Sequence, residues 1–145
     1  MSSEKLIEIK NLHTHFYTEA GTAKAVDGVS FDIYKGEVLG IVGESGSGKS
    51  TLLNVLSSLD SFDQGDLVID GKDIKSLSEE GLSTFRNKTI GFIFQFHHLL
   101  PDFTVNENIL MPIWIKSGYQ KNQKSLNLLD DFGLCLLYTS DAADE

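Results

Sequence analysis

GESGSGKST, residues 43–51, is the stretch that decides how this chain folds. It matches G-x-x-x-x-G-K-[ST] at every fixed position: Gly43, Gly48, Lys49 and Ser50. Glycines let backbone N–H groups turn inward and approach an anion closely. A helix beginning after Gly48 points its free N–H groups and its positive dipole end at the same anion. Lys49 adds a full positive charge suited to the β- and γ-phosphates of a nucleoside triphosphate such as ATP, and the Ser50 hydroxyl suits Mg²⁺. Glu44, Ser45, Gly46, Ser47 and Thr51 complete the candidate phosphate-binding set. The fixed positions match by chance in roughly 0.5% of chains this long, so a flexible Gly/Ser linker is the weaker reading. The motif names a ligand class and not a reaction, since kinases, GTPases, motors and transport ATPases share it.

The flanks supply an α/β pattern. Residues 38–42, V-L-G-I-V, form a continuously apolar run of the kind buried on both faces of a sheet. Lys35-Gly36-Glu37 before it reads as a tight turn. Residues 25–34 alternate, with Val26, Val29, Phe31 and Ile33 apolar, and read as a strand. Leu6, Ile7 and Ile9 suggest an earlier strand, separated from it by a turn around Gly21. After the loop, Leu52, Leu53, Val55, Leu56 and Leu59 fall at helical spacing within residues 50–59. A strand at 67–69 runs into Asp70-Gly71, a strong turn signal. Ser78 suits the cap of a helix with Glu79 and Glu80 at its positive end. Residues 90–94 are a further apolar strand. Residues 104–114 read as a helix capped by Thr104, with Glu107 in capping-box position, and residues 124–132 as another, stopped by Gly133. Strands leading into helices indicate an α/β domain.

Length and composition bound the rest. The 145 residues suffice for one modest domain, and the 41% hydrophobic and 23% charged fractions are those of a water-soluble chain. No apolar run reaches membrane-spanning length, and the first ten residues carry no signal-peptide core. A net charge of −9 argues against nucleic acid as a partner. Cys135 is the only cysteine, so the chain holds no internal disulfide.

Read with its flanks, the loop resembles the ATP-binding subunits of ABC transporters. KAVDGVSFDIYKGEVLGIVGESGSGKST, residues 24–51, resembles the family's strand–turn–strand–loop lead-in. TIGFIFQFHHLLPDFTVNEN, residues 89–108, resembles its Q-loop region. The resemblance covers residues 6–134. It implies a P-loop NTPase fold of the ABC type, N-terminal part only, with an antiparallel β lead-in, an incomplete parallel core sheet and the start of a helical subdomain. It implies ATP and Mg²⁺ as cofactors. Phe16 sits where the family places an aromatic that stacks on adenine, with Tyr17 as the neighbouring candidate; a half-buried strand aromatic is the alternative. Gln95 follows Lys49 by 46 residues, where the family's glutamine touches Mg²⁺ and the attacking water. Lys49 and Gln95 are therefore the catalytic candidates, and Ser50 and Gln95 the metal ligands. His97 and His98 diverge as neighbours and lack further ligands at metal spacing; they suit contact with a transmembrane subunit. Leu99, Leu100, Phe103, Met111, Ile113 and Trp114 suit an apolar docking surface or, equally, the core of the helical subdomain. The implied partners are transmembrane permease subunits and a second ATP-binding subunit, with the protein peripheral on the inner face of the cell membrane.

The two sides of the loop resemble different branches of the family. Residues 6–33 are similar to oligopeptide and dipeptide import ATPases. Residues 51–60 and 85–112 are similar to lipoprotein-releasing ATPases, and the resemblance implies that this later segment touches the partner that selects substrate. A join of two genes near residues 43–53 and a single member of mixed pattern both fit. Lipoprotein release is the expected function, with oligopeptide import or a non-transporting ABC-type module as alternatives. CLLYTSDAADE, residues 135–145, matches the in-frame translation of a transposon-end sequencing adapter, so the family domain is expected to occupy 1–134 and the tail to be foreign. The signature segment, the second acidic Mg²⁺-binding strand and the switch histidine lie beyond that point in the family. The chain as written is therefore expected to be poorly stable and to hydrolyse no ATP.

Overall fold

The computed structural model describes residues 4–19, 21–95 and 99–118. The chain divides into two compact units, residues 1–86 and 87–145. Strand β1 (Lys5–Thr18) and strand β2 (Gly21–Tyr34) form a long antiparallel hairpin that pairs from Lys5 opposite Tyr34 to Thr18 opposite Gly21, with register shifts along its length. Both run longer than the expected strands, because the hairpin carries polar residues outward while one face stays apolar. At the far end Gly36 takes φ +79°, and Glu37 N–H donates to Tyr34 O at 3.0 Å to close the expected turn.

The first unit continues with helix α1 (Lys49–Leu56), strand β3 (Gln64–Ile69), the short strand β4 (Lys72–Asp73) and a single 3-10 turn (Ile74–Ser76). The sheet order is β2-β1-β3-β4, antiparallel throughout. Asp70 (φ +49°) and Gly71 (φ +72°) make the two-residue turn between β3 and β4 that their sequence demands. Ile9, Leu12, Val26, Leu67 and Ile69 bury one face of this sheet, joined by Leu52 and Val55 of α1. Each fully buried aliphatic side chain contributes about 1.5–3 kcal/mol. Helix α1 stops at Leu56, earlier than its apolar spacing suggests. Ser58 turns to φ +55°, and Leu59 and Asp60 fold their N–H groups back onto Asn54 O.

Helix α2 (Glu79–Thr89) begins where Ser78 Oγ accepts from Gly81 N–H at 3.2 Å. Its Phe85 is buried, with Lys72 Nζ 5.4 Å from the ring centroid. In the second unit, helix α3 (Val105–Ser117) carries the expected capping box. Thr104 N–H donates to Glu107 Oε2 at 2.9 Å, and Glu107 N–H returns to Thr104 Oγ1 at 3.3 Å. Asn108 ties the preceding loop to this helix: its amide donates to Phe103 O at 3.0 Å and its oxygen accepts from Leu100 N–H at 2.9 Å.

Two expected strands are not formed. Residues 38–42 and 90–94 run as irregular chain, with Val38 and Val42 each 96% exposed and Ile93 98% exposed. Runs of this type belong to parallel sheets covered on both faces, and a strand exists only where neighbours take up its N–H and C=O groups. Among the described residues neither run pairs with another, so the parallel sheet stays unbuilt while the antiparallel part forms. The expected helix at 124–132, His97, His98 and the 135–145 tail lie outside the described residues.

Candidate functional site

The loop at 43–51 has the local geometry its glycines allow. Gly46 and Gly48 adopt φ +81° and +84°, in the region side chains disfavour. Gly48 is the cap of α1 and has no side-chain cap bond. The first helical hydrogen bond runs from Leu52 N–H to Gly48 O at 2.9 Å. The N–H groups of Lys49, Ser50 and Thr51 therefore come before the helical ladder and face outward at its positive end. A Cβ at Gly48 would collide with the carbonyl oxygen of Ala25 on β2. The glycine is thus needed twice, for its backbone angle and for the loop's seat against the hairpin.

Lys49 does not extend into solvent. Its Nζ donates to Gly43 O at 2.7 Å, to Glu44 O at 2.5 Å and to Ser47 Oγ at 3.2 Å. The ammonium is held inside the curve of the loop, next to the free helix N-terminus. Full charge and free backbone donors then converge on one spot, which is what a polyphosphate requires. Ser50 is exposed and Thr51 half-buried in the first turn of α1, and Glu44 and Ser45 are exposed on the rim.

The remaining expected site residues stand as follows. Phe16 and Tyr17 lie near the closed end of the hairpin, opposite Ala23 and Thr22. Both are exposed, and Phe16 sits across from a residue two positions before Ala25, the contact of Gly48. Gln95 is exposed at the end of the irregular 90–94 run in the second unit. Leu99 and Leu100 are exposed, while Phe103, Met111, Ile113 and Trp114 are half-buried and Leu110 is buried.

One constellation escaped the sequence reading. His13 Nδ1 lies 3.0 Å and His15 Nε2 3.3 Å from the same oxygen of Asp27, Oδ1. Lys24 Nζ holds the other carboxylate oxygen at 3.2 Å. These bonds, Lys24 first and then His13 and His15, hold the Asp27 carboxyl below its ordinary value. The signal in the sequence was His-Thr-His at 13–15, an i, i+2 pair that shares one face of a strand.

Residues 26–143 match a family model described as ABC transporter. The Lipoprotein-releasing system ATP-binding protein LolD of Shewanella frigidimarina is 42% identical over 136 residues, covering 92% of this chain and 56% of that protein. The protein of the same name from Leptospira interrogans is 49% identical over 116 residues, covering 79% of this chain and 48% of that protein. The chain thus spans about half the length of the curated relatives it matches. A solved ATP-binding cassette, described as a dimeric post-hydrolysis state bound to ADP and Pi, aligns with a TM-score of 0.87 at 28% identity, covering 97% of this chain and 63% of that one. A second, described as the dimeric structure of a bacterial ABC transporter cassette, gives 0.80 at 31% identity, covering 87% and 55%.

Proposed function

The chain belongs to the ABC transporter family, and from that premise we propose that it is the phosphate-binding portion of an ATP-binding subunit whose whole form drives lipoprotein release from the inner membrane. The observation that carries this reading is the Lys49 ammonium curled inside a loop that opens onto a free helix N-terminus. Relatives named for lipoprotein release align across 92% of the chain, both sides of the loop included, which supports release over oligopeptide import.

In this proposal the backbone N–H groups of residues 43–51 and Lys49 hold the β- and γ-phosphates of ATP. Ser50 and Gln95 supply neutral oxygens to Mg²⁺, a hard cation that takes oxygen ligands. Bound Mg²⁺ would neutralise charge on the phosphates during transfer to water. Lys49 keeps its charge on the transferring group, and Gln95 orients water. Phe16 stacks on adenine through its exposed face. The partners are permease subunits and a second ATP-binding subunit, consistent with relatives described as dimeric. No helix among the described residues is long and apolar enough to cross a membrane, and attachment to the inner face through those partners is part of the proposal.

Binding of a fluorescent ATP analogue with Mg²⁺ to the whole chain tests the reading. Lys49→Ala should weaken it by about 10- to 100-fold, the worth of a charged hydrogen-bonding group, while leaving the far-UV circular dichroism unchanged. Unaltered binding in the folded variant overturns the assignment. The domain boundary is a separate proposal: residues 1–134 belong to the family domain, and 135–145 are adapter-encoded. Genomic DNA that continues past the Leu134 codon with other residues supports it, and the same eleven codons in the genome refute it.

A further inference from the structure

The His13, His15 and Asp27 cluster lies on the β1–β2 hairpin and has no part in the phosphate site. Its geometry is set by alternation and by a bulge. Leu12 and Thr14 of β1 are buried, so His13 and His15 project from the opposite face. On β2, Thr14 pairs with Val26 but His15 pairs with Lys24, which leaves Ala25 as an extra, unmatched residue. Such a bulge re-aims the side chains beside it. Here it brings Asp27, the register partner of His13, within reach of His15 as well.

One ligand atom from each of His13, His15 and Asp27 lies within 4.8 Å of the other two. Both imidazoles are largely covered, at 18% and 16% side-chain exposure, while Asp27 stays open to solvent. The two rings meet edge to face with centroids 5.6 Å apart, so their nitrogens converge without stacking. A tetrahedral ion with bonds of about 2.0–2.1 Å needs its ligand atoms about 3.3 Å apart. The two separations to Asp27 Oδ1, 3.0 and 3.3 Å, already meet that requirement.

We propose that His13, His15 and Asp27 form a binding site for a zinc-type transition-metal dication, with a fourth position open to water. Two imidazoles and one carboxylate are the donor set of open zinc sites, and nitrogen donors select such ions over Mg²⁺. The outer contacts fit as well. A metal-bound histidine donates its other ring N–H to an oxygen that fixes its tautomer. His13 Nε2 stands 3.2 Å from Asn11 Oδ1, the group that would accept it. His15 is anchored through its backbone, whose N–H donates to Asp63 Oδ2 at 2.7 Å, while Asp63 N–H returns to His13 O at 2.8 Å. The ion takes the place of the direct contacts that the two rings make with Asp27 Oδ1. Lys24 stays on Oδ2, where its charge opposes the ion.

The test uses the whole chain stripped with a chelator and titrated with Zn²⁺ or Co²⁺ alone. The expected result is one equivalent bound with the intense visible bands of four-coordinate Co²⁺, together with a higher Tm. His13→Gln and His15→Gln should each weaken affinity at least tenfold, and Asn11→Gly by about tenfold, as loss of an orienting partner does. Lys24→Gln leaves the ligands intact and should tighten binding by about two- to fivefold, the range of an exposed charge pair. That gain keeps the proposal testable if a histidine variant fails to fold. No bound equivalent, affinity unchanged in the folded His13 and His15 variants, or loss of the metal in a His97→Gln/His98→Gln double variant would each overturn the site.

Discussion

Gly48 carries two demands in one residue: a φ of +84° and no room for a Cβ, which would meet the Ala25 carbonyl oxygen. Gly48→Ala should therefore destabilise the loop by at least about 1–2 kcal/mol, the cost of a side chain in the left-handed region, and weaken nucleotide binding. Chemical denaturation and the fluorescent-nucleotide titration read the two effects separately. Thr14 gives a prediction of the opposite sign. It is buried, and its hydroxyl has no hydrogen-bond partner among the described residues. Thr14→Val should raise stability by about 1 kcal/mol, since it removes a desolvated hydroxyl and keeps the shape; a lower denaturation midpoint would count against the packing described for β1. At this scale the sequence was readable wherever the chemistry is local. Lys49 and Ser50 announce themselves because the glycines that position them, Gly43 to Gly48, stand in the same short loop. Asp27 did not, because its meeting with His13 and His15 depends on the hairpin register and on the bulge at Ala25.

Among the elements, α3 shows its instructions most openly. Thr104 and Glu107 were legible as a capping box, and both reciprocal bonds form. Thr104 donates to the Glu107 carboxylate through its backbone N–H and then through its hydroxyl, which holds that carboxyl below its ordinary 4.5. A carboxyl lowered in the folded state stabilises it above the unfolded value, and that contribution disappears as pH falls through the folded value. Helical circular dichroism should therefore decline below about pH 4.3, and Glu107→Gln should flatten the decline attributable to α3. Thr104→Ala should cost about 1 kcal/mol at neutral pH. The runs at 38–42 and 90–94 were legible as apolar and misleading as strands. Their composition specifies burial on two faces, but composition alone provides no neighbour, and a strand without partners leaves its N–H and C=O groups to water. The α1 terminus differs for a smaller reason. Leu59 continues the helical spacing, while Asn54 draws Leu59 and Asp60 back in a turn.

At the scale of the molecule, exposed Val38, Val42 and Ile93 mark apolar surface left uncovered among the described residues. The whole chain should bind a hydrophobic dye, and Val38→Lys with Ile93→Lys should lower both that signal and light scattering on concentration. Equal dye binding in the double variant would place the apolar surface elsewhere. The net charge of −9 adds a second whole-molecule property, since the long-range field repels the anionic ligand proposed for the loop. Attraction is therefore confined to short range, where Lys49 already spends its three donors on Gly43 O, Glu44 O and Ser47 Oγ. A ligand must exchange those bonds for its own. A nucleoside or a lone monoanion brings too little charge density to make the exchange favourable, whereas adjacent phosphates do. In the proposed site the folded-back lysine would thus set a threshold, favouring ligands by the number of their phosphates.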